Sequence, residues 1–132
     1  MRFSLLLLSL ACGSALACGY CVEDKIASTY DHAVVKQALA QKHHVAFFHV
    51  EGPLAPDSKR WLEAAAASVP GVDAKSVRAA PETLTLSLAF DPRRTSLVAV
   101  QSALDKKLAA RRLSLMPLRI MESAAELKTV AR

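Results

Sequence analysis

The sequence predicts an α+β fold, and three patterns carry that prediction. Between residues 20 and 42 there is no glycine or proline, and apolar side chains recur every four positions, which is typical of an amphipathic helix. Residues 45–50 are apolar on both faces and are followed by Gly52-Pro53, as expected of a central strand. In residues 83–90, leucine and phenylalanine alternate with threonine and serine, which indicates a strand with one apolar face.

Caps, turns and periodicity predict the elements between these segments. Asp57 is a suitable N-cap for a helix that stops at the Pro-Gly pair of residues 70–71. Residues 72–80 can form a strand, and the Pro-Glu turn after them joins it to the strand at 83–90. A hairpin is therefore expected.

A second helix and a last strand complete the predicted domain. Thr95 or Ser96 can cap a helix whose leucines and valine share one face. Residues 113–121 then return as a strand. Pro117 places this strand at an edge of the sheet, because proline has no N–H to donate to a strand neighbour.

The order of these elements over residues 45–121 is strand-helix-strand-strand-helix-strand, so the expected fold is a ferredoxin-like βαββαβ sandwich with an additional N-terminal helix. That helix belongs to residues 18–44. Residues 122–132 are expected to form a short C-terminal helix or tail, since Ser123 and Glu126 resemble a capping box.

Two helices cover only one face of such a sheet, yet the first and last strands are apolar on both faces. The second face therefore needs a cover. Either the N-terminal helix of the same chain or a second subunit can supply it.

Residues 1–17 have the features of a secretory signal peptide. Arg2 provides a positive start, residues 3–11 are an apolar run, and residues 15–17 form a small-x-small cleavage site. The apolar run is shorter than the ~20 residues of a membrane-spanning helix. We therefore expect a periplasmic or secreted protein that begins at Cys18, and lipid attachment through Cys18 is the alternative.

Composition argues against nucleic-acid binding and catalysis. Lysine and arginine number 17 against 12 acidic residues, and the formal net charge is +5. The arginine doublets at residues 93–94 and 111–112 lack interleaved aromatic residues, so nucleic acid is not an expected partner. No nucleophile-histidine-acid pattern and no phosphate-binding glycine loop is present, so an enzyme is not expected either.

The chemistry-bearing motif is Cys-Gly-Tyr-Cys at residues 18–21. Residues three apart lie on the same side of a helical turn, so Cys18 and Cys21 can share one soft ion or bond to each other. Two thiolates satisfy Cu(I) or Hg(II), whereas structural Zn takes four ligands and would need a second chain. Thiol-disulfide exchange and a structural disulfide stay open.

Two short motifs carry a family resemblance. Residues 69–72 read Val-Pro-Gly-Val and residues 88–92 read Leu-Ala-Phe-Asp-Pro, and with them residues 45–115 resemble the heavy-metal-associated domains of metallochaperones and metal transporters. The resemblance implies a ferredoxin-like fold. It also implies metal handling, and a transporter as a partner.

The usual ligands of that family do not carry over. Its members have two cysteines in the loop after the first strand, and in this chain Ala55 and Ser58 occupy those positions. The hypothesis from sequence is thus an exported protein that captures Cu(I) through Cys18 and Cys21. The alternatives are a thiol-disulfide partner protein and an interaction module that docks on a transporter without metal. His49 is expected to be a satisfied core or interface residue, and Met116 and Met121 core filler.

Overall fold

The computed structural model describes residues 21–127, which form four helices and one four-stranded antiparallel sheet. The helices are α1 (Val22–Thr29), α2 (His32–Ala40), α3 (Ser58–Ala67) and α4 (Leu97–Leu108). The strands are β1 (His44–Glu51), β2 (Val72–Ala80), β3 (Thr85–Phe90) and β4 (Ser114–Met121). Short 3₁₀ helices lie at Pro81–Thr83, Ala109–Arg111 and Ala124–Glu126.

The sheet has the strand order β2-β3-β1-β4, and every neighbouring pair is antiparallel. Helix α3 connects β1 to β2 and helix α4 connects β3 to β4. This arrangement confirms the predicted α+β class and is compatible with a ferredoxin-like fold. No helix within residues 21–127 is long and apolar enough to cross a membrane.

The larger core lies between the sheet and helices α3 and α4. Alternate residues of β1 and β3 point into it, because successive side chains of a strand face opposite sides. Full burial of one such leucine or phenylalanine stabilises the fold by about 1.5–3 kcal/mol. The principal buried residues are Ala46, Phe48, Val50, Leu62, Ala66, Leu86, Leu88, Phe90, Val100, Leu104 and Leu108.

The prediction of one continuous helix over residues 20–42 is wrong. Tyr30 and Asp31 have extended backbone angles and separate α1 from α2. The Asp31 carboxylate accepts a hydrogen bond from the Val34 N–H at 3.2 Å, and so begins a new helix as its N-cap. In α2, Val35, Ala38 and Leu39 are buried, whereas Val34, four residues after Tyr30, is only partly buried.

Helices α1 and α2 cover the second face of the sheet, so the chain itself supplies the cover that the sequence required. The other alternate residues of β1 point into this second core. Its buried members are Ile26, Val35, Ala38, Leu39, Val45, Phe47, Ala89 and Met121. The serine and threonine positions of β3 face this side of the sheet and are also buried. The Ser87 hydroxyl donates to the Thr29 carbonyl at 3.4 Å.

The outer strand β4 is irregular where Pro117 interrupts it. Its register against β1 shifts between Phe47 and Phe48, and Pro117 is the partner of Phe48. The predicted edge position of Pro117 is therefore confirmed. Beyond β4, the Glu126 carboxylate accepts from the Ser123 N–H at 3.2 Å, as the predicted capping box requires.

The packing of α1 on the sheet can be tested by shortening one side chain. Ile26 is 1% exposed in the second core, whereas Val22 on the same helix is 43% exposed. We expect Ile26→Ala to lower the free energy of unfolding by about 2–5 kcal/mol, because it leaves a cavity against the sheet. Val22→Ala is the matched control and should change it by less than ~0.5 kcal/mol. If urea denaturation showed the same small change in the free energy of unfolding for both variants, α1 would not pack as described.

Candidate functional site

Cys21 lies immediately before α1, in the N-cap position of that helix. Its side chain is exposed, and the thiol donates a hydrogen bond to the Asp24 carboxylate at 3.2 Å. The other predicted ligand, Cys18, lies outside the described residues, as do the predicted signal peptide and its cleavage site. The structure thus locates one of the two predicted ligands, at an accessible position.

Two polar contacts and one apolar contact fix α1 to the sheet just after Cys21. Glu23 pairs with Arg119 of β4, and one of the hydrogen bonds measures 3.2 Å. Lys25 Nζ lies 2.8 Å from His49 Nδ1 on β1. Ile26 is buried in the second core. Cys21 is therefore attached to a helix whose first turn reaches β1 and β4 through its side chains.

His49 is half-buried, and its Nδ1 atom has two polar neighbours. Besides Lys25, the carbonyl oxygen of Leu84 lies 3.2 Å from it. The predicted role of His49 as a satisfied interface residue is confirmed. Nδ1 can accept from Lys25, which links α1 to β1, or donate to the Leu84 carbonyl, which links β1 to the turn before β3, but it cannot do both at once.

The two methionines of β4 differ in burial. Met121 is fully buried and fills the second core, as predicted. Met116 is 47% exposed, so its prediction as core filler is wrong. It pairs with His49 across the strands, on the face of the sheet that α1 covers only in part. A thioether is therefore accessible on the same side of the sheet as Cys21.

The loop between β1 and α3 has a structural role at both positions where the resembled family has cysteines. Ser58 is buried, and its hydroxyl accepts the Ala55 N–H at 2.7 Å. Ala55 is exposed. Asp57 stands at the predicted N-cap position but caps nothing with its side chain, which pairs with Arg111 instead. Ser58 closes the turn in its place.

The other histidines are dispersed. His32 is exposed with Nδ1 3.3 Å from the Tyr30 hydroxyl, and His44 packs edge-on against Phe90 at 5.5 Å. His43 is half-buried, and its Nδ1 finds no hydrogen-bond partner within the part of the chain that is described. Across residues 21–127, no three His, Cys, Asp or Glu side chains converge as a metal-binding group.

One cluster was not predicted from the sequence. The Arg111 guanidinium lies 4.4 Å above the Trp61 ring and donates to both oxygens of Asp57, at 3.0 and 3.1 Å. Asp57 and Arg111 are 54 residues apart, so no local pattern reveals their contact. The only signal was the single tryptophan of the chain.

Comparisons with protein-family models, curated proteins and solved structures find no match.

The Glu23–Arg119 pair gives a pH-dependent test of the α1 anchor. Hydrogen bonds from Arg119 lower the pKa of Glu23 from its ordinary value of 4.5. Because the pKa of Glu23 is lower in the folded state, the pair stabilises the fold fully at pH values above the ordinary pKa. This stabilisation disappears as the pH falls through the folded-state pKa. We expect Glu23→Gln to lower the urea midpoint at neutral pH, with the difference from the parent vanishing in acid.

Asp24→Asn is the control for that measurement. Asp24 lies in the same first turn of α1, and its side chain makes no ion pair with a basic residue in the described region. Its substitution should therefore not reproduce the loss of the Arg119 contact. If the difference in urea midpoint between Glu23→Gln and the parent stayed constant from neutral to acidic pH, the proposed anchor would be contradicted.

Proposed function

We propose that this protein is an exported, small soft-metal-binding protein that captures or delivers Cu(I) through Cys18 and Cys21. The observation that carries the proposal is the position of Cys21, which is exposed and directly precedes a helix fixed to the sheet. Cys18 precedes it by three residues. Two cysteines separated by two residues have the spacing at which paired thiolates bind one metal ion.

The donor set favours a monovalent soft ion. Thiolate is a soft ligand that selects Cu(I), and a single pair leaves Zn short of the four ligands it takes in structural sites. Hg(II) fits the same two sulfurs. Zn binding would need a second chain that contributes another pair.

The neighbouring groups suit reversible loading. Metal binding requires thiolates, so the Cys21 proton that now bonds to Asp24 must leave when an ion binds. Asp24 is exposed and can pass that proton to water. An exposed site of this kind permits direct ligand exchange with a partner, such as a metal transporter.

The resemblance to heavy-metal-associated domains supports this proposal through the ferredoxin-like arrangement of residues 45–121. In this interpretation, α1 and α2 are an addition to the domain, and the thiols have moved from the β1–α3 loop to the added segment. Ser58 and Ala55 have become turn residues in that loop. Periplasmic or secreted location follows from the leader sequence of residues 1–17 and remains part of the proposal.

Thiol-disulfide exchange is the second candidate function, favoured by the exposure of Cys21. In that reaction one thiolate of the pair attacks a partner disulfide, and the second thiolate then releases the partner as a dithiol. The protein ends with a Cys18–Cys21 disulfide. The electrons pass to the partner, so the chemistry balances without a metal.

Cu(I) competition separates the two functions. The reduced chain beginning at Cys18 should remove one Cu(I) per molecule from a chromophoric Cu(I) chelator. Cys18→Ser and Cys21→Ser should each weaken binding at least ~100-fold, since loss of a ligand exceeds the 10–100-fold effect of outer-shell changes. Met116→Leu is a control that removes an accessible thioether outside the pair.

The parent and the variants should have the same circular dichroism, because Cys21 is exposed and the chain from residue 22 onward has no cysteine. Undiminished Cu(I) binding by the double serine variant would contradict the site. Weak Cu(I) binding together with rapid exchange with glutathione would replace the metal function with the redox function.

A further inference from the structure

A second surface lies on the opposite side of the sheet from α1, around the first turns of α3. Its lining residues are Asp57, Arg60, Trp61 and Ala64, and Arg111 stacks above the tryptophan; we call these five residues the Trp61 surface. The first four of these residues line an open depression of about 390 Å³ on the surface.

The Trp61 surface is ordered before any ligand arrives. The half-buried Trp61 packs against the core beneath α3 and α4. Arg111 is held from two sides, by the Trp61 ring at 4.4 Å and by the two hydrogen bonds to Asp57. Side chains that are already fixed lose little rotamer freedom on binding, which removes a main entropic cost of association.

The surface also carries unbalanced positive charge. Asp57 is its single carboxylate and is already paired with Arg111. Arg60 and the neighbouring Arg112 are exposed, and neither forms an ion pair with any side chain between residues 21 and 127. Hydrogen bonds from Arg111 lower the pKa of Asp57, and the charge of Arg60 acts in the same direction. Asp57 therefore has Arg111 as its hydrogen-bonded partner, whereas Arg60 contributes only its charge.

We propose that the Trp61 surface binds an acidic segment of a partner protein. A guanidinium such as that of Arg60 matches a carboxylate with two parallel N–H donors. The accessible part of Trp61 offers an apolar contact beside it. Tryptophan and arginine are also the residue types that most often dominate protein-protein binding energy.

This proposal does not depend on Cu(I) binding. Helix α3 packs on one face of the sheet and α1 on the other, so the two sites do not share residues. A partner held at the Trp61 surface would leave Cys21 accessible. The readouts of the two experiments are also separate.

The tryptophan makes a direct test possible, because Trp61 is the only one in the chain and its fluorescence reports this surface alone. The probe is a short synthetic peptide in which glutamates flank a leucine, and the matched peptide has glutamines in their place. We expect the glutamate peptide to change the Trp61 emission in a saturable manner. The affinity should fall as salt is added, because the charges involved are exposed.

Matched arginine variants identify the charge that matters. Arg60→Gln should weaken binding of the glutamate peptide by roughly fivefold, the upper range for an exposed charge pair. Arg94→Gln removes the same charge from an exposed loop between β3 and α4 and should leave the affinity unchanged. Both positions are exposed, so both variants should fold, which circular dichroism can verify.

Four results would overturn the proposal. The first is no saturable emission change up to millimolar glutamate peptide. The second is equal binding of the glutamine peptide, and the third is an equal loss of affinity in the Arg60 and Arg94 variants. The fourth is tighter binding of a single-stranded oligonucleotide than of the peptide, which would assign the surface to nucleic acid.

Discussion

The sheet is apolar on both faces, and this constraint determines how the rest of the chain is arranged. Helices α3 and α4 cover one face, as their positions between the strands allow. Val45, Phe47, Ala89 and Met121 on the other face would remain in water without a second layer. Helices α1 and α2 provide it. Because burial of such side chains dominates folding energetics, residues 22–40 are part of the fold and not an appendage.

The same layer determines where the candidate metal ligand lies. Ile26 enters the second core, Glu23 reaches Arg119, and Lys25 reaches His49, all within two turns of α1. Cys21 precedes these contacts directly and is exposed. A thiol on a free N-terminal arm would have no fixed position, whereas this one is attached to a helix anchored on two strands. The covering of the second face and the presentation of the thiol are therefore one structural feature.

Periodicity, caps and turn residues were sufficient to predict the sheet and the two helices that follow β1. Three features are present as expected, because each depends on neighbours in sequence. They are the alternation in β3, the Ser96 cap of α4 and the edge position of Pro117. The break at Asp31 was not predicted, because a four-residue apolar repeat continues through it. Only packing against the sheet decides whether an N-cap residue interrupts such a repeat.

The contacts that define the two candidate sites are mostly long-range, so local patterns could not supply them. The cysteine spacing is visible in the sequence, but the anchors Arg119 and His49 are 96 and 24 residues away from their partners. The Asp57–Arg111 pair of the Trp61 surface is of the same kind. The sheet positions Arg119 and His49 for the first two pairs, whereas the third pair joins the N-cap of α3 to the 3₁₀ helix after α4.

Native-state hydrogen exchange of α1 and α2 tests the central claim most directly. If these helices form the second layer of the core, their amide protons should open only in the global unfolding transition, together with those of β1. Protection of Ile26, Val35 and Leu39 should then match that of Phe47. Rapid exchange of α1 and α2, with the sheet still protected, would contradict the account.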